Sequence, residues 1–64
     1  MVKINGKNIE AAGMTISVYL DNSGYDPKVV AVELNEEIVP KSSYGETVLK
    51  DGDVVEVVSF VGGG

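Results

Sequence analysis

The chain of 64 residues contains no cysteine, no histidine, no tryptophan and no arginine, and each absence narrows what it can do. Without cysteine there is no disulfide framework, no thiolate metal site and no cysteine nucleophile. Without histidine the usual neutral-pH proton shuttle and the commonest metal ligand are missing. No run of about 18 apolar residues exists, so no membrane span is expected. Met1-Val2-Lys3-Ile4-Asn5-Gly6 lacks the long apolar stretch of a secretory leader, and a cytoplasmic location is expected. Cations are scarce: five lysines face ten acidic residues, for a net charge of −5. Phosphate backbones need cationic partners, so binding to nucleic acid is not expected. Partners should instead be proteins offering basic or apolar surfaces.

What remains is one small domain. A chain of this length buries only about 60% of the surface it exposes when unfolded, which limits its core. The 44% hydrophobic content argues against wholesale disorder. These counts lean away from an enzyme and towards a small protein that other proteins handle.

Val2 and Ile4 alternate with Lys3 and Asn5, the pattern of a half-buried strand. Asn5-Gly6 suits a type I′ turn, which needs positive φ at both central residues, so Lys7-Asn8-Ile9-Glu10 should pair back as a hairpin. Thr15 is placed to cap a short helix through Asp21, with Ile16, Tyr19 and Leu20 forming one apolar stripe. Gly24 stands where a terminating glycine would fall, and Pro27 forbids continuation. Val29 to Leu34 reads as a central strand. Asn35-Glu36 turns into a short edge strand, Glu37-Ile38-Val39, closed by Pro40. Lys41 to Gly45 reads as irregular or one 3₁₀ turn. Leu49 should enter the core before the Lys50-Asp51-Gly52-Asp53 turn, and Val54 to Val61 forms the last strand. The order predicts an α+β domain: a mixed sheet of four to five strands, one helix on one face, and the terminal strands parallel neighbours. The expected core is Val2, Ile4, Ile16, Leu20, Val30, Val32, Leu34, Val55 and Val57. Residues 1–61 form this domain, and 62–64 are expected to be a flexible, reactive tail.

That tail, Gly62-Gly63-Gly64, has no side chain to pack and loses the most entropy on ordering. In an arbitrary protein it would be a frayed end with no role. Here it follows a strongly β-forming strand, and three extended residues reach roughly 10 Å from it. A peptide without side chains can thread a narrow channel to another protein's active site. A terminal carboxyl with a reference pKa of about 3.3–3.7 is an anion at neutral pH, able to attack the α-phosphate of ATP.

Three segments in this order carry a family resemblance: Ala31-Val32-Glu33-Leu34-Asn35-Glu36-Glu37-Ile38-Val39-Pro40, then Leu49-Lys50-Asp51-Gly52-Asp53-Val54-Val55-Glu56-Val57, then the closing glycines. Over essentially its whole length the chain resembles the ThiS family, the sulfur carriers of thiamine biosynthesis, which are β-grasp relatives of ubiquitin. Lys41 departs from the arginine that many relatives carry after the Val-Pro pair. The resemblance implies that a ThiF-like adenylating enzyme uses ATP to activate the carboxylate of Gly64. Sulfur delivered as a persulfide, from a cysteine desulfurase or a similar donor, then displaces AMP to leave a thiocarboxylate. A ThiG-like thiazole synthase consumes that sulfur. On this reading Gly62 and Gly63 enter the partner's active site, the protein binds no cofactor itself, and it has no catalytic residue of its own. A carrier of the molybdopterin synthase small-subunit type, a ubiquitin-like modifier and a non-reactive interaction module stand as alternatives.

The remaining candidates are weaker. Asp51/Asp53 and Glu36/Glu37 lack further oxygen ligands at calcium-loop spacing and read as solvated turns, so no metal site is expected. Ser42-Ser43 has no base to activate it. The last strand says more, because Val55 and Val57 share one face while Val54, Glu56, Val58 and Phe60 share the other. A lone glutamate should mark the face the helix leaves uncovered. Val58 and Phe60 are then exposed apolar groups beside the tail, a docking patch for partners.

Overall fold

The computed structural model describes residues 1–60, and Val61 and the three terminal glycines lie outside the described residues. The first hairpin forms as its turn residues require. Strand β1 (Val2–Ile4) pairs antiparallel with β2 (Lys7–Ile9), with φ of 50° at Asn5 and 84° at Gly6. The asparagine tolerates the left-handed region and the glycine occupies it without steric cost.

Helix α1 (Ile16–Asn22) is short and capped at both ends. Its first N–H groups would otherwise lack acceptors. Thr15 Oγ1 accepts from the Val18 amide at 3.2 Å, while the Ile16 and Ser17 amides donate to the carbonyls of Thr47 and Tyr44 at 3.0 Å each. At the other end the Tyr25 amide donates to the Leu20 carbonyl at 2.9 Å and the Gly24 amide to that of Asp21 at 3.2 Å, with Gly24 at φ +80°. That pair of bonds closes the helix where the sequence places its stop. Ile16 and Leu20 are buried and Tyr19 is half-buried.

A 3₁₀ turn over Pro27–Val29, capped by Asp26, leads into β3 (Val30–Leu34), one residue later than the sequence suggests. Strand β3 turns through Asn35 and Glu36 into the edge strand β4 (Glu37–Val39), followed by a 3₁₀ turn at Lys41–Ser43. The last strand, β5, spans Val54–Ser59. The sheet runs β2-β1-β5-β3-β4, with β5 parallel to β1 and antiparallel to β3. This is the expected β-grasp arrangement, and it places β5 at the centre of the sheet. The helix packs on one face.

The core differs from expectation at named positions. Leu34, expected inside, is only half-buried, because it lies on the last pair of β3 before the turn, opposite Glu37 on one side and Val55 on the other. Ala11 and Tyr44 are buried although both sit outside regular elements, and Leu49 joins them as its own signal suggested. A backbone clasp brings this segment in: the Gly13 amide donates to Leu49 O, the Leu49 amide donates to Met14 O, both at 2.8 Å, and Thr15 bridges Val48. Among the described residues no helix is long and apolar enough to cross a membrane.

Candidate functional site

The candidate site is the end of β5 and the sheet face around it. Strand β1 stops at Ile4, which pairs with Val55, so beyond that point β5 would lose its neighbour on that side. The Asn5 carboxamide takes over. Its Oδ1 accepts from the Val57 amide at 2.8 Å and its Nδ2 donates to the Val57 carbonyl at 3.2 Å, standing in for a strand residue. On the opposite side, Asn35 Oδ1 accepts from the Val54 amide at 2.9 Å, and its own amide donates to the Val54 carbonyl at 2.7 Å. The turn asparagines of both hairpins thus hold β5. Beyond the strand, the Phe60 amide still donates to the Val29 carbonyl at 2.7 Å, so the described chain is anchored up to its last residue.

Alternation along β5 divides its side chains between two environments. Val55 and Val57 face the helix and are buried, whereas Val54, Val58 and Phe60 are 44%, 51% and 57% exposed. The expected placement of Val58 and Phe60 on the uncovered face therefore holds. Glu56 lies on that face too, as the lone glutamate indicated. Two neighbours of this patch were not singled out from sequence. Ile38, on β4, is 66% exposed, and Glu33 pairs with it on one side and with Glu56 on the other. The signal was present in the alternation of Ile38 with Val39, but a strand of three residues is too short for periodicity to assign its faces.

Gly64, expected to carry the chemistry, and Gly62 and Gly63 lie outside the described residues. The carboxylates of the Asp51-Gly52-Asp53 turn are engaged in bonds within the domain. Asp53 accepts from the Lys50 amide at 2.9 Å and from Asn35 Nδ2 at 3.1 Å, and Asp51 pairs with the N-terminal ammonium. Lys41, the departure from arginine, has a structural role that sequence did not reveal. Its Nζ donates to the carbonyls of Val30 at 2.7 Å and Pro27 at 3.1 Å, tying the two 3₁₀ turns together at the entry to β3. Among the described residues no group of three or more His, Cys, Asp or Glu side chains comes together to hold a metal, and no cavity opens. The surface the fold offers is a sheet face rather than a pocket.

Comparison with known proteins agrees with this architecture. The ThiS family model matches residues 2–64. The sulfur carrier protein ThiS of Bacillus subtilis is 42% identical over 66 residues, an alignment covering 100% of both chains. A thiazole synthase of Paramagnetospirillum magneticum is 50% identical over 62 residues, covering 95% of this chain but 19% of that protein. The chain thus spans about a fifth of the length of the thiazole synthases it matches. The crystal structure of a thiamine biosynthesis protein (ThiS) from Geobacter metallireducens superposes with a TM-score of 0.78 at 31% identity, covering 98% of this chain and 97% of that one.

Proposed function

The chain belongs to the ThiS family of sulfur carriers in thiamine biosynthesis, and from this premise we propose that the carboxylate of Gly64 is the group that carries the sulfur. The reading rests above all on the match to ThiS carriers over the full length of both chains, closing glycines included.

The chemistry follows from what a carboxylate can and cannot do. It is a poor electrophile, so it must first be activated. One carboxylate oxygen of Gly64 attacks the α-phosphorus of ATP on a ThiF-like adenylating enzyme, and pyrophosphate leaves. In the mixed anhydride AMP is a good leaving group. The terminal sulfur of a persulfide, supplied by a cysteine desulfurase or a similar donor, attacks the carbonyl carbon. AMP departs and an acyl disulfide forms. A second thiol then attacks the donor-side sulfur, releasing the thiocarboxylate and leaving a disulfide behind. A ThiG-like thiazole synthase takes the sulfur from there. The protein acts as a co-substrate, and its sulfur needs no thiol side chain, which accords with the absence of cysteine.

The domain's own contribution is presentation. Strand β5 is held on both sides by backbone pairing and by Asn5 and Asn35, so the chain leaves a rigid element at Phe60. Gly62 and Gly63 offer a partner's channel nothing wider than backbone. Val58 and Phe60, exposed beside that exit, dock the partners. Incubation with the adenylating enzyme, ATP and a sulfur donor should shift the mass by one oxygen-to-sulfur exchange, mapped to Gly64. Deleting Gly64 should abolish the shift while leaving the urea midpoint unchanged. Sulfur mapped to any other residue overturns the reading.

A further inference from the structure

Glu33 on β3 and Glu56 on β5 stand directly opposite each other in the antiparallel pair, in the middle of the open sheet face. Side chains so placed have Cβ atoms about 4.5–5.5 Å apart, and like charges there oppose folding. Among residues 1–60 no cation lies within ion-pair distance of either carboxylate. The one ion pair among the described residues joins the N-terminal ammonium to Asp51. Lys3, on the same face, is paired with Val54 two residues away along β5 and makes no ion pair with Glu56. Apart from Lys3, the groups around the glutamates on this face are apolar: Val54 and Val58 flank Glu56 along the strand, Ile38 lies beside Glu33, and Ala31 is opposite Val58. A like-charge pair set in an exposed apolar field weakens the free domain, and it makes sense physically if a partner supplies the missing cation.

We propose that the open face docks an apolar surface of the thiazole synthase that carries one arginine, whose guanidinium seats between Glu33 and Glu56. The inference rests on the carrier reading above and extends it to what the partner must present. Arginine fits better than lysine because its planar fork of five donors can serve two carboxylates at once and is weakly hydrated, so it desolvates at lower cost against apolar neighbours. The thiazole synthase is the partner chosen because a segment like this chain occurs within longer proteins of that name, at 50% and 42% identity. Burial of Val54, Val58 and Ile38 by the partner lowers the local dielectric and strengthens the charge contact, while the paired carboxylates exclude partners that present an acidic centre.

The test compares three proteins against purified thiazole synthase by titration calorimetry: the parent, E33Q/E56Q, and a control, E10Q/D21N, that removes the same charge from exposed positions elsewhere. E33Q/E56Q should weaken binding about tenfold or more. The control should change it by less than about threefold, as expected of screened surface charge. In urea, E33Q/E56Q should unfold at the parent's midpoint or above it, so stability and affinity move in opposite directions. Affinity unchanged in E33Q/E56Q, equal weakening in both variants, or a fall in stability alongside affinity would each overturn the proposal, as would a parent that does not bind. A parent that acquires a thiocarboxylate yet binds regardless of these glutamates refutes this inference alone. A parent that never acquires one refutes the carrier reading.

Discussion

The valines of strand β5 divide between the two faces of the sheet and have opposite fates. Val55 and Val57 lie under the helix and are buried; Val54 and Val58, their neighbours in sequence, stand in water with Phe60 and Ile38. Fully burying such a side chain is worth about 1.5–3 kcal/mol, so the open face forgoes several kcal/mol of stability that a second covering layer would supply. A domain of this size has roughly 3–10 kcal/mol in total. The covered face therefore carries the fold almost alone, and the apolar groups of the other face add little to stability. The contrast also shows that residue type does not determine role here. Position in the alternation does, together with the presence of one helix rather than two.

The sharpest way to break this comparison is to truncate one side chain from each face. Leu20→Ala, on the helix and fully buried, should cost about 2–5 kcal/mol in urea denaturation, enough to leave the domain marginal. Leu34→Ala, at the half-buried end of β3, should cost clearly less, about 1–2 kcal/mol, and an equal loss would mean that Leu34 packs as deeply as Leu20. On the open face, Phe60→Ala should leave the denaturation midpoint within error of the parent. It should weaken association with the adenylating enzyme by about 1–3 kcal/mol, and an unfolded variant would move Phe60 to the stabilising side of the comparison. The smallest effect concerns what holds the helix over its face. Thr15→Ala should cost about 1 kcal/mol by circular dichroism melting, because only one of the first three helix amides depends on that hydroxyl while backbone carbonyls serve Ile16 and Ser17.

Much of the fold was legible because its signals are local. Asn5-Gly6 has few alternatives to a tight turn, Gly24 and Pro27 end the helix within a few residues, and alternation separates Val55 from Val54 without reference to any neighbour. The open-face patch was legible for the same reason, since a single glutamate among valines indicates which half of the strand meets water. Ala11 and Tyr44 were not legible. Each sits in a segment with no periodicity, and only the clasp between residues 13–15 and 47–49 brings such segments over the core. The closing glycines are the opposite case, obvious in sequence and outside the described residues.

Local chain chemistry thus decided the elements, their ends and the split of β5 into two faces, because φ preferences, capping and period-two alternation act over a few residues. The tertiary structure decided what required distant residues to meet. It set Glu33 against Glu56 across β3 and β5, and it aimed Asn5 at Val57 across 52 positions of chain. It also left Leu34 half in water and bent Lys41 back onto the carbonyls of Pro27 and Val30. No local preference encodes these contacts, since each depends on the register of strands far apart in sequence, and register is fixed only when the whole covered face packs against the helix.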